Sequence, residues 1–342
     1  MAVMRTKFAV LLMVVAVSSL SAAQQYTVTD MGGAGYQFAA PQALSNNGLV
    51  GGVLVLLDGA GHAFFWSSST GMLDLGLLHP NDPYSGSYGV NDAGMVVGYS
   101  GTYGFVWTQS GGMQDIGNLG GTPTVAEGIN NFGQIVGTSV LADGTQHAFL
   151  YTTSGGMKDL GSLGGDLSVA MAINDSGQVV GFSLLADNIT THAFLWTQTG
   201  GIQDLGTIVG SSSSYALAIN SSEEVVGYTT TSSGSEAAFY WNPIQGMRTL
   251  ENPASFQTSA EGINANSQIV GVCTNNSVLS RGVLWARATQ LKSLGRLIPP
   301  ANPYPIWAKA INRAGQIVGL GNNNHALLLT PTKQPSSQRS QP

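Results

Sequence analysis

Ile129-Asn130-Asn131-Phe132-Gly133-Gln134-Ile135-Val136-Gly137 decides how this 342-residue chain is read, because the string recurs. AINDSGQVVG begins at Ala172 and AINRAGQIVG at Ala310; looser copies are VNDAGMVVG from Val90, INSSEEVVG from Ile219, INANSQIVG from Ile263 and LSNNGLVGG from Leu44. The asparagine position therefore runs Ser45, Asn91, Asn130, Asn174, Asn220, Asn264 and Asn312, at spacings of 39 to 48 residues. Self-similarity at such a period marks an architecture of stacked supersecondary units.

Two further strings lie between the copies. One is HAFFW from His62, YGFVW from Tyr103, HAFLY from His147, HAFLW from His192, AAFYW from Ala237, RGVLW from Arg281 and HALLL from His325. The other follows it as GMLDLG from Gly71, GMQDIG from Gly112, GMKDLG from Gly156, GIQDLG from Gly201, GMRTLE from Gly246 and QLKSLG from Gln290. This last string is missing after His325, but Tyr26-Thr27-Val28-Thr29-Asp30-Met31-Gly32-Gly33 supplies a matching fragment at the opposite end. A fragment that completes the last unit from the first suits a closed ring and has no use in a linear stack.

Each unit reads as four short strands separated by turn signals. In the third copy strand a is expected over 124–130, b over 134–140, c over 147–152 and d over 157–161. Asn-x-x-Gly between a and b fits a type I turn with asparagine first and glycine last, which explains the recurring asparagine as turn chemistry. Strands such as Val169-Ala170-Met171-Ala172-Ile173 are apolar or small on both faces, as in a sheet covered on both sides. Small residues in a and b and large aromatics in c suit sheets that crowd at an axis and diverge outward. The expected fold is all-β: a seven-bladed β-propeller of four-stranded antiparallel blades, closed by the N-terminal strand.

Composition narrows the function classes. Charged residues make up 9% of the chain against 43% hydrophobic, the formal charge is −6, and Cys273 is the single cysteine. This argues against a disordered polymer, a nucleic-acid binder, a disulfide framework and a thiolate zinc cluster. Residues 1–23 carry Arg5 and Lys7, an apolar run from Phe8 to Val17 and small residues at Ser21 and Ala23, the three-part layout of a signal peptide. The run is too short to span a bilayer. Residues 24–331 are expected to form the propeller and 332–342 a disordered tail. No Lys or Arg lies between Gln24 and Met157, whereas Arg248, Arg281, Arg287, Lys292, Arg296, Lys309 and Arg313 fall in the last two and a half units, so an acidic arc and a basic arc are expected.

The INxxGQVVG, HAFLW and GMxDLGxLGG strings together resemble the HAF-type extracellular repeat family of bacteria, over roughly Tyr26 to Pro331. AAFYW, RGVLW and HALLL depart from the family's triplet. The resemblance implies a secreted or surface location and no known reaction.

If the last aromatic of each HAF string faces the Met-type position of the next, the histidine lies diagonal to the aspartate on one face. The expected pairs are His62 with Asp74, His147 with Asp159, His192 with Asp204 and, across the closure, His325 with Asp30. Loss of both at Ala237/Thr249 and Arg281/Ser293 fits a structural pair, since a buried carboxylate without its partner is costly; Tyr103 with Asp115 is the exception. These histidines lie in separate sheets, so no metal site is expected, nor is any cofactor. His79 lies outside the repeat beside Asp82. Variable b–c and d–a connections on a rigid frame are where binding is expected, with Tyr84, Tyr88, Tyr215, Phe256, Tyr304 and Trp307 as candidate ligand-binding aromatics and no catalytic residue assigned. The leading reading is a secreted, monomeric binding or scaffold propeller for an extracellular protein or glycan. The alternatives are a polysaccharide hydrolase or lyase with acids in the central funnel, and a purely structural surface protein. Glu127 and Glu261 precede Gly-Ile-Asn strings, but their placement three units apart argues against convergence.

Overall fold

The computed structural model describes residues 25–32, 35–253, 256–275, 279–286 and 290–332. The expected signal peptide lies outside them, as do tail residues 333–342. Among the described residues the chain is strand joined by turns, with a single 3-10 turn at Leu294–Arg296.

The third repeat illustrates the unit. Gly120–Ile129, Ile135–Leu141, Gln146–Thr152 and Gly156–Asp159 pair antiparallel in sequence order. Strand a starts earlier than the sequence suggested because Gly120 already pairs with Leu141, across a register shift before Thr124. Between a and b, Gly133 N donates to Asn130 O at 3.1 Å and Gly133 sits at φ 74°. Where the glycine is replaced, Glu223 at φ 60° and Ser267 at φ 56° occupy the same left-handed conformation, which L-residues disfavour by roughly 1 kcal/mol or more.

The strands assemble into four-stranded antiparallel sheets. One eight-stranded sheet consists of two such units, Gly120–Asp159 and Gly164–Asp204, joined at a single parallel bridge, Gln146 to Leu167. Tyr26–Asp30 pairs antiparallel with Ala326–Pro331, from Tyr26 opposite Pro331 to Asp30 opposite Leu327. Thr332, expected in the tail, donates its N–H to Gln25 O at 2.8 Å, so this pairing runs one residue past the expected domain end.

Cores form between successive sheets. Val136, Ala148 and Leu150 of one unit pack with Ala170, Val179, Phe194 and Trp196 of the next. Phe64, Phe105, Phe149, Phe194 and Phe239, all from the HAF-type position, are completely buried. Each contributes about 2 to 3 kcal/mol by leaving water. Opposite these rings the b strand carries glycine, as in Gly137 opposite Phe149 and Gly181 opposite Phe194. A Cβ on Gly137 would collide with the Val125 carbonyl oxygen of strand a, and one on Gly181 with that of Val169. That close approach accompanies a bulge: the a–b register shifts between Ala126 and Gly128, and again between Ala170 and Ala172.

The recurring asparagine does more than shape its turn. Asn130 Oδ1 accepts from Phe132 N and Gln134 N, while its Nδ2 donates to Asn174 O of the next unit at 3.1 Å. Asn91, Asn174, Asn220 and Asn264 latch forward in the same way, and Asn312 Nδ2 donates to Ser45 O of the first repeat at 3.0 Å. A side chain amide has both acceptor and donors, so one residue serves turn and neighbour together. The sequence reading recognised only the acceptor half.

Candidate functional site

The bulge in strand a falls at one repeat position, three residues before the asparagine. Among the described residues it leaves Gln42, Tyr88, Glu127, Met171, Leu217, Glu261 and Lys309 outside the ladder register. A bulged residue bends its strand and re-aims its side chain. All of these residues line one cavity of about 460 Å³. Leu44, Val90, Ile129, Ile173, Ile263 and Ile311, two residues further on, line both this cavity and a second one at the asparagine turns, forming an apolar collar between them; Ile219 at the same position lines the second cavity.

Glu127 and Glu261 therefore share a cavity, against the expectation that a placement three units apart would keep them from converging. Strand a of each repeat contacts strand a of the next, and Pro305–Ile311 contacts Tyr36–Leu44. In such an array distant repeats face one another across a common axis. Lys309 Nζ lies 2.8 Å from Glu261 Oε2, and Ser259 Oγ donates to Glu261 Oε1 at 2.7 Å. Glu127 has no hydrogen-bond partner among the described residues. Burial pushes its carboxyl up to about 7, partly offset by the positive charge of Lys309. The side chain lines the cavity yet is largely enclosed by protein, which is why desolvation prevails over that charge. Tyr88 is also pushed up, first by burial and then by Tyr99 and Glu127. On the Glu261 side, burial together with Glu236, Tyr215 and Glu261 raises Tyr228 to about 12.

The six candidate aromatics divide by position. Tyr88, Tyr215 and Trp307 lie within strands Ser85–Val90, Ser213–Ile219 and Pro305–Ile311, not in the d–a connections, because strand a begins earlier than its apolar pattern. Tyr88 lines the cavity and sits 5.4 Å from Tyr99, which also meets Tyr84 at 5.8 Å. Tyr215 stacks on Tyr228 at 4.8 Å and meets Phe182 edge-on at 5.2 Å. Trp307 is 44% exposed, with Lys309 Nζ 5.7 Å from its ring, and Tyr84 and Tyr304 are 49% and 43% exposed. Phe256 packs against the core that contains Ala260 and Trp285. Lys309 was not among the sequence candidates. Its signal was present: the position before Gly/Ala-Ile-Asn varies among Glu, Met, Leu and Lys while its neighbours repeat.

The histidines meet their aspartates on the outer strands. His62 Nδ1 lies 2.9 Å from Asp74, His147 Nδ1 3.0 Å from Asp159, His192 Nδ1 2.9 Å from Asp204 and His325 Nδ1 2.9 Å from Asp30. The aspartate side chains are 32% to 42% exposed, so the argument from a buried, abandoned carboxylate does not apply. Each instead accepts a tight-turn amide, as Asp159 does from Gly161 N at 2.7 Å. Asp115 keeps the same bond from Gly117 N at 2.8 Å, a physical reason for it to persist beside Tyr103. Near His79, Ser100 Oγ donates directly to Asp82 Oδ2 at 2.6 Å, and the imidazole packs edge-on against Tyr103. That order places the carboxylate between hydroxyl and imidazole, which is not a nucleophile–base arrangement. No group of three or more His, Cys, Asp or Glu among the described residues is placed to hold a metal ion. No helix among them is long and apolar enough to cross a membrane.

No protein-family model matches the sequence, and no curated protein matches it. Among solved structures, the chain is similar to TolB from Acinetobacter baumannii (14% identity, TM-score 0.51, covering 84% of this chain and 65% of that one). It is also similar to the extracellular domain of BT4673 from B. thetaiotaomicron (10%, TM-score 0.56, 91% and 40%). A third is the β-propeller domain of the trilobed protease from Pyrococcus furiosus (10%, TM-score 0.52, 83% and 92%). The chain thus spans under two thirds of the first two. At these identities the likeness defines fold, and the fold is a β-propeller. The cavity at its axis is ringed by residues that the repeat does not dictate.

Proposed function

We propose that the chain is a secreted, seven-bladed ring, closed by its N-terminal strand, that binds an extracellular protein or glycan on the face where the a strands begin. Closure is supported by the pairing of Tyr26–Asp30 with Ala326–Pro331 and by the bond from Asn312 to Ser45. Secretion rests on the layout of residues 1–23 and the resemblance to HAF-type repeats.

The observation that carries binding is the exposure of Tyr84, Tyr304 and Trp307 at the start of a strands whose bulged residues line the axial cavity. Aromatic side chains held half open by rigid strands supply contact area at low entropic expense and stack well on sugar rings or peptide anchors. A hydrolase that uses two carboxylates needs both available to the substrate. Glu261 is committed to Lys309 and Ser259, which favours binding over that alternative.

The test is a glycan array combined with capture from the organism's own secretome, using the wild type and Trp307→Ala. A ligand retained by the wild type and lost by the folded variant supports the reading. Turnover of a polysaccharide, abolished by Glu127→Gln, would replace it with the enzymatic one.

A further inference from the structure

One carboxylate in the axial cavity, Glu127, has no ion-pair partner among the described residues. Lys309 sits against Glu261, whose second oxygen is taken by Ser259, so the charged groups at the bulged positions sum to one negative charge when Glu127 is ionised. Glu127 has no hydrogen-bond partner among the described residues, although a carboxylate normally accepts several bonds. Its enclosure makes any compensating positive charge more effective than it would be at a surface.

The walls on either side of Glu127 narrow the choice of ligand. In repeat order it stands between Tyr88 and Met171, with Leu217 following. An aromatic face attracts a cation, and the Met and Leu side chains solvate an aliphatic chain. The opposite sector holds the neutralised Lys309–Glu261 pair and Gln42. The cavity of about 460 Å³ lies within the ordinary range for small-ligand sites.

We propose that the axial cavity binds a primary ammonium group on a short aliphatic stem, with Glu127 as its counter-ion and Tyr88, Met171 and Leu217 enclosing the stem. The site rests on the reading of this face as the binding face, and it assigns that face a ligand chemistry. Two sources share this chemistry, a free aliphatic amine and a lysine side chain presented by a protein.

Binding is expected to depend on pH. The titratable or charged groups facing Glu127 across the cavity are Tyr88, Glu261 and Lys309, while Gln42, Met171 and Leu217 are neutral. With the Glu127 carboxyl raised to about 7 by burial, the ionised form that pairs with ammonium prevails at pH 8 and is scarce at pH 5.5.

The experiment is titration calorimetry of the full chain with n-butylammonium chloride, with sodium butyrate and 1-butanol as charge controls and N-acetyl-lysine amide as the protein-borne probe. Butylammonium should bind at pH 8 and lose about tenfold or more in affinity at pH 5.5, a ratio that follows from the ionised fraction. Butyrate and butanol should not bind. Glu127→Gln, shown to be folded by its melting curve, should lose binding at both pH values. Lys309→Met, which frees Glu261, should bind about tenfold tighter; if that chain does not fold, Lys309→Gln replaces it. Preference for the lysine amide over butylammonium assigns the protein-borne source, and the reverse the free amine. Butyrate binding in preference, undiminished affinity in folded Glu127→Gln, or no heat with butylammonium at pH 8 would each overturn the proposal. Amine binding that survives Trp307→Ala while secretome or glycan capture is lost separates the cavity from the outer face. Capture that survives without any amine binding defeats this proposal and leaves the face reading standing.

Discussion

The position that faces the axis and the His–Asp position of the outer hairpins behave in opposite ways. On the outer strands the same pair recurs with nearly the same distance, 2.9 to 3.0 Å, in three hairpins and in the pairing of the terminal strands, and its aspartates also serve the adjoining turn. At the axis the backbone device repeats, a bulge opposite a glycine, but its side chain is Gln42, Tyr88, Glu127, Met171, Leu217, Glu261 or Lys309. Repeated chemistry in a repeated setting is a packing solution applied many times. Varied chemistry in an invariant backbone setting is where a particular ligand can be specified.

The comparison breaks first at the glycine beneath the bulge. Gly137→Val is expected to cost about 4 kcal/mol, because the new side chain meets the Val125 carbonyl oxygen and not a yielding side chain. Gly144→Ala, at φ 90° with open space around it, should cost only about 1 kcal/mol. Chemical denaturation of both variants measures the contrast, and similar small losses in both would end the bulge argument.

Glu127 provides the next test. Its folded carboxyl lies near 7 against an ordinary value of 4.5, so between those values the folded state holds more protons than the unfolded state. Stability should therefore fall as pH rises from about 4.5 to about 7, by about 3 kcal/mol, and level off above. Glu127→Gln should abolish this decline and exceed the wild type in stability at pH 8. A wild-type unfolding free energy that is flat across that interval would contradict the enclosed, unpaired carboxylate.

Smaller effects sharpen the two ends of the molecule. Asn130→Ala removes two turn bonds and the latch to Asn174, at an expected loss of about 2 kcal/mol. His147→Ala should lower stability by no more than about 1 kcal/mol, since the pair is partly solvated, and should leave ligand binding unchanged. An unaltered melting temperature in His147→Ala would remove the outer pair from the list of structural contacts.

Much of this architecture was legible in the repeat. The pairing of Tyr151 with Met157, and hence of Phe149 with Asp159, followed from strand alternation and hairpin spacing alone. Local periodicity also marked the turn at Asn130 and the outer partners of each histidine. Less legible were contacts whose two sides come from different repeats. Asn130 reads as a turn residue because Phe132 and Gln134 are adjacent in sequence, whereas Asn174, 44 residues away, is visible only in space. The six aromatics were grouped by proximity to connections, yet Phe256 joined the core and Tyr88 turned to the axis.

The sequence by itself determined an all-β repeat, its strand order and the register of its hairpins. These follow from interactions among residues close in the chain, where alternation and turn chemistry act. Only the tertiary structure decided that Glu127, Glu261 and Lys309 meet at one cavity, that Lys309 neutralises Glu261, and that Glu127 has no hydrogen-bond partner among the described residues. Convergence at an axis depends on how successive sheets turn against one another. A linear spacing of three repeats does not reveal whether two residues are far apart or face to face.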